Sequence, residues 1–206
     1  MTANDSTAER LYRSGDLVGF SADGPLSFGI NLATCGWPMQ PRKWRGLSHV
    51  AIVARDPIAD QLVLWESTSL YRRPCIHCEE VHGGVQSHWI GSRVLTYGGA
   101  VWHYRLRQPL DEEQDFQLAY YLQGEHGKTY DNLGAFRSRE TPLSLLERCF
   151  ARRPEDLTSI FCSELIAAAW RHVGRWNPPD ASRWSPNRLA RTALAIGLVD
   201  EPRRVR

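Results

Sequence analysis

The segment SIFCSELIAAAW, residues 159–170, sets a cysteine at the expected start of a helix. From Cys162 to Val173 the apolar residues Leu165, Ile166, Ala169, Trp170 and Val173 fall on one helical face, and Gly174 supplies a stop. Thr158 or Ser159 is the expected cap. A thiol in a first helical turn faces unpaired backbone N–H groups and the positive end of the helix dipole, and both favour the thiolate. A single free cysteine is otherwise a small buried hydrophobe, so nucleophilic chemistry also requires a base and a group that orients it. His49 and Glu66 meet that requirement on two β-rich runs, LSHVAIVAR (47–55) and QLVLWEST (61–68), joined by the turn signal DPIAD. Pairing Arg55 with Asp60 sets His49 directly opposite Glu66, with Cβ atoms about 4.5–5.5 Å apart. The carboxylate then fixes the imidazole tautomer and leaves the second ring nitrogen for the thiol proton. A one-residue slip would send the two side chains to opposite faces of the sheet.

These groups need a scaffold. GDLVGF (15–20) reads as a strand entered from a glycine turn, after a short helix near Ala8–Arg13. Residues 21–46, rich in Gly, Pro and Trp, read as a long loop. Residues 69–92 read as irregular, and VWHYRLR (101–107) alternates as a strand. PLDEEQDFQLAYYLQGEHG carries a helix with Asp111 as cap and Phe116, Ala119 and Tyr120 as apolar positions. TPLSLLERCFARR (141–153) is a further helix. WSPNRLARTALAIG is another, with Ser185 as cap, Pro186 in the first turn and Gly197 at its end. Strands in the first half and helices in the second make an α+β domain, and 206 residues fit one such domain, spanning 1–206.

Taken together, SHVAIV, WEST, GKTYDNLGAF and FCSELI resemble the permuted papain-like amidases related to the NlpC/P60 peptidases, the YiiX/YaeF-like group. The resemblance runs from residue 15 to residue 190. It implies a circularly permuted papain-like fold in which the histidine strand precedes the cysteine helix, with an antiparallel sheet or partial barrel packed on that helix. It also implies a nucleophile at Cys162, a base at His49, a third polar residue at Glu66, and Tyr130 near the nucleophile, either on the oxyanion or in packing. Ser163, beside the cysteine, joins Tyr130 as an expected substrate or oxyanion contact. The implied reaction is cofactor-free acyl transfer through a thioester on an amide, in a cell-wall peptide, peptidoglycan fragment or peptide-like conjugate. A lipid acyl hydrolase or acyltransferase acting on an acyl-lipid, and a catalytically silent binding module, are the rival readings.

Other cysteines offer weaker chemistry. Cys35 is followed by Gly-Trp-Pro, which cannot open a helix, and Cys149 falls inside a helical pattern. Cys75 and Cys78 form a CxxC with His77, His82 and His88 nearby, but a second pair at the spacing of a zinc finger is missing, so no metal ligand is assigned. Trp37 and Trp44, set among Arg42, Lys43 and Arg45, belong either to an ordinary loop or to a surface that meets lipid or glycan. A net charge of +2 argues against nucleic acid as partner. No apolar run is long enough to cross a bilayer. Five cysteines with no secretory signal in the first residues point to reduced thiols and a cytoplasmic protein, or one delivered by a phage or secretion machine. Composition leaves the oligomeric state open.

Overall fold

In the computed structural model, residues 11–21, 46–68, 74–130, 160–178, 180–181 and 184–206 are described. Their elements run β1 (Leu17–Ser21), β2 (His49–Arg55), β3 (Leu62–Thr68), β4 (Gly84–Trp89), α1 (Ile90–Thr96), β5 (Ala100–Tyr104), α2 (Glu112–Glu125), α3 (Cys162–His172), α4 (Pro186–Ala195) and β6 (Arg203–Arg204). The six strands form an open antiparallel sheet in the order β4-β3-β2-β1-β5-β6. This is the expected α+β class in its open-sheet form. Of the helix expected near Ala8–Arg13 only residues 11–13 are described, and the long loop, the helix at 141–153 and the residues Cys35 and Cys149 lie wholly or mostly outside the described residues.

Strand alternation divides the core. On one face Leu17, Val50, Ile52, Val63, Trp65 and Val85 pack against Leu165, Ile166, Ala169 and Trp170 of α3 and Leu118 and Leu122 of α2. On the other, Val18, Phe20, Ala51, Val53, Leu64 and Val101 pack beneath Ile90 and Val94 of α1. The two-sided burial explains why β2 reads as nearly continuous apolar sequence, with Val50 to Ala54 all fully buried.

Three expectations change. Residues 84–89 are a strand and a helix opens at 90, both inside the stretch 69–92 expected to be irregular. The paired glycines and the polar residues Gln86, Ser87 and His88 hide the alternation, although all three are buried in the sheet. In α2 the buried residues are Leu118, Ala119 and Leu122, while Phe116 and Tyr120 are exposed and stack on each other. The sequence holds two competing apolar stripes, and packing against α3 and β2 selects one. The β2–β3 register is shifted by two residues, Arg55 facing Leu62 and Ile52 facing Trp65. The turn takes up more chain: the Asp56 carboxylate accepts the N–H groups of Ile58 and Ala59, the Asp56 N–H reaches the Gln61 carbonyl at 2.7 Å, and Asp60 adopts φ 50°. A shift of two preserves the faces, so His49 and Glu66 become diagonal rather than direct neighbours.

Candidate active site

Cys162 is the first residue of α3, and Phe161 at the cap position makes no side-chain cap hydrogen bond. The expected caps, Thr158 and Ser159, lie outside the described residues. A first helical turn carries N–H groups without partners inside the helix, and here these lie beside the sulfur. The helix start is fixed by the sheet: Ser67 Oγ donates to the Ile160 carbonyl at 2.5 Å, and the Ile160 N–H donates to the Thr129 carbonyl at 3.0 Å. Ser163 donates its hydroxyl to the Trp184 carbonyl, linking α3 to the residues that lead into α4. In α4, Asn187 holds both backbone groups of Leu47, at 2.7 and 3.0 Å, just ahead of β2.

His49 opens β2 at the end of the sheet where the two core faces meet. Its ring lies against Phe20 of the α1 face, with centroids 5.5 Å apart, whereas Cys162 belongs to the α3 face. From this end position the imidazole reaches both layers. Its Nε2 lies 2.5 Å from Glu66 Oε2, and the Cys162 sulfur is close enough for each group to shift the other's ionisation. With Nε2 on the carboxylate, Nδ1 is the nitrogen left for the thiol. The structure thus brings the sequence-predicted Cys162, His49 and Glu66 together, with the imidazole the group that interacts with both others.

The electrostatics suit an ion pair. Burial opposes charge on His49, but the facing Cys162 sulfur and the Glu66 carboxylate outweigh it and raise the imidazole to about 9. Burial likewise opposes the Cys162 thiolate; the His49 charge and hydrogen bond, with the N–H groups of Val50 and Ser163, bring the thiol below its ordinary value. Cys162 is only 4 % exposed and the His49 side chain 15 %, so the pair is nearly buried among the described residues.

Arg93 is the residue that sequence reasoning missed. Its Nε donates to Glu66 Oε1 at 2.6 Å and a terminal nitrogen donates to Oε2 at 2.9 Å, while the guanidinium lies 4.5 Å from the Phe20 ring centroid. Glu66 is fully buried, which alone would raise its carboxyl; Arg93 first, then His49, hold it well below the usual carboxylate range. The Glu66 ion is therefore fixed in two directions, and only one of them points to the imidazole. His88 lies 3.8 Å from Glu66 Oε1 and is kept neutral, lowered to about 4 chiefly by burial. The available signal for Arg93 was weak: an arginine between Ile90 and Val94 on a helix too short to show periodicity.

Tyr130 is half-buried and follows Thr129, so it lies on the stretch bonded to Ile160 at the entry to α3. Ser163 is fully buried with its hydroxyl on Trp184, so its backbone N–H, not its side chain, faces the sulfur. A second acid–imidazole pair, Asp16 and His103 at 2.7 Å, has no thiol beside it among the described residues; Asp16 also accepts the N–H groups of Arg13 and Leu106, a structural tie between β1 and the end of β5. The CxxC stretch is drawn together with His82 and with His126, a residue outside the sequence motif.

No family model matches this chain, and no curated protein does. Among solved structures it is similar to YiiX. That protein, from Escherichia coli O157:H7, is described as a DUF1105 metalloprotein; the likeness has a TM-score of 0.49 and 17 % identity and covers 79 % of this chain and 67 % of YiiX. The arrangement of Cys162, His49 and Glu66 favours the Cys162 thiolate, favours a proton on the imidazole, and leaves the Cys162 N–H at a helix start. Among the described residues no helix is long and apolar enough to cross a membrane.

Proposed function

We propose that this chain is a cysteine hydrolase of the permuted papain-like kind, cleaving an amide bond through Cys162, His49 and Glu66. The observation that carries the reading is His49, hydrogen-bonded to a buried Glu66 and electrostatically coupled to the helix-start sulfur of Cys162. In the first half-reaction the Cys162 thiolate attacks the carbonyl carbon and forms the S–C bond. The oxyanion is met by the Cys162 N–H. As the tetrahedral species collapses the C–N bond breaks, and the His49 proton leaves with the amine. In the second half-reaction His49 takes a proton from water, the hydroxyl attacks the thioester, and the C–S bond breaks to release the acid and restore the ion pair. Glu66 stays ionised throughout and keeps the imidazole in the productive orientation. Peptide-like substrates, including peptidoglycan fragments, are the proposed class.

The decisive experiment labels the protein with a thiol-directed electrophile and follows each cysteine by peptide mass spectrometry. Selective labelling at Cys162 that falls sharply in His49→Ala supports the reading. Labelling indifferent to His49 supports a silent binding module instead. Mass spectrometry of products from peptidoglycan fragments and acylated lipids, native chain against Cys162→Ala, then separates amide hydrolysis from lipid acyl chemistry.

A further inference from the structure

A second cluster of ligating side chains lies outside the site described above. Residues 74–80 form a turn in which the Cys75 N–H donates to the Glu80 carbonyl, the Glu79 N–H donates to the Cys75 carbonyl, and Glu79 takes φ 55°. The turn presents Cys75 and Cys78 on one side. His82 follows two residues before β4, and His126 arrives from the end of α2. One ligand atom from each of the four residues can be chosen so that all lie within 4.8 Å of one another. In a tetrahedral zinc shell, Zn–S of about 2.3 Å and Zn–N of about 2.0–2.1 Å put ligand atoms roughly 3.3–3.8 Å apart, so a small inward movement closes the set.

The nitrogens are already oriented. His126 Nε2 lies 3.2 Å from Cys75 Sγ. His82 Nδ1 lies 3.3 Å from the Gly83 carbonyl, which fixes the tautomer carrying the proton there and leaves Nε2 with its lone pair. That Nε2 is shielded from solvent and carries its lone pair next to two thiols, Cys75 among them. The Ser87 N–H already reaches Cys75 Sγ at 3.4 Å, the kind of outer contact that steadies a metal thiolate.

We propose that Cys75, Cys78, His82 and His126 bind one zinc ion in a closed tetrahedral site. Two thiolates neutralise the dication, and four protein ligands leave no open position, so the role is structural. The site ties the turn at 74–82 to the segment after α2. Its neighbour Lys128 pairs with Val85, and Thr129 accepts the Ile160 N–H two residues before Cys162. The inference is independent of the hydrolase reading.

The test is elemental analysis of the full chain, purified reduced and without chelator, followed by cobalt substitution. About one zinc per chain is expected, retained in Cys162→Ala and lost in Cys78→Ser and His126→Ala. Cobalt should give the intense visible bands of a tetrahedral ion with a thiolate charge-transfer band in the near ultraviolet. Cys78 is only half-buried, so its serine variant should fold, and the cobalt spectrum of the unaltered chain reports on the site without any variant. Trace zinc both as purified and after incubation of the reduced protein with zinc chloride overturns the proposal. So does a Cys75–Cys78 disulfide as the stable form, or metal that survives in Cys78→Ser and His126→Ala but leaves in Cys162→Ala.

Discussion

Replacing Arg93 with methionine keeps the unbranched stem over Phe20 and removes the two charge-assisted hydrogen bonds to Glu66. Glu66 is fully buried and the Arg93 side chain 5 % exposed, so the variant strands a carboxylate away from water with His49 hydrogen-bonded to it and only the neutral His88 nearby. Removing one partner of a buried pair costs about 3–5 kcal/mol. For a chain of this length each kcal/mol lowers the melting temperature by about 2–4 °C, so a fall of about 6–20 °C at pH 7 is expected by circular dichroism. The pH dependence carries a second signature. Glu66 is held below its unfolded value, so the stability it contributes is present above about pH 4.3 and is lost as pH falls. Without Arg93 the burial that opposes ionisation dominates, the folded carboxyl moves up, and that acid loss disappears. Urea titrations should therefore show the gap between parent and variant shrinking as pH falls, first through the variant's raised carboxyl and then below about pH 4.3 as the parent loses its Glu66 contribution, at up to 1.4 kcal/mol per pH unit. Glu66→Gln combined with Arg93→Met, which leaves no stranded charge, should be more stable than Arg93→Met alone. A variant melting within about 2 °C of the parent, or a gap flat across pH, would refute the account of how Glu66 is held.

Further outcomes follow from the same geometry. With Cys162 lowered and His49 raised to about 9, iodoacetamide should modify Cys162 at pH 6 at least about tenfold faster than in His49→Ala, since an ordinary thiol is scarcely ionised there; equal rates would remove the ion pair. Ser163→Ala should cost about 1–2 kcal/mol by leaving the Trp184 carbonyl unmet, yet leave Cys162 labelling unchanged; lost labelling at unchanged melting temperature would return the Ser163 hydroxyl to the substrate. Gly84→Ala should destabilise by about 3 kcal/mol or more. Gly84 has φ +112° and an added Cβ would lie 1.9 Å from the Lys128 carbonyl oxygen; a neutral result in thermal denaturation would contradict the close approach of β4 to that segment.

The sequence by itself determined the local devices. Asp111 and Ser185 act as the caps their types suggest, Gly174 and Gly197 take the left-handed φ of helix ends, and apolar spacing set Cys162 at a helix start. Each depends on groups within a few residues, so local pattern suffices. The pairing face of His49 and Glu66 was legible too, because alternation survives a two-residue error in register even though the turn that caused the error was misjudged. Tertiary structure alone decided the rest. Which stripe of α2 is buried depends on α3, and the polar residues of β4 are buried because α1 and neighbouring strands cover them. Arg93 reaches Glu66 across 27 residues, and His126 reaches Cys75 across 51. Neither meeting leaves a periodic trace, since a side chain's partner across the core is fixed by packing geometry and not by any spacing along the chain.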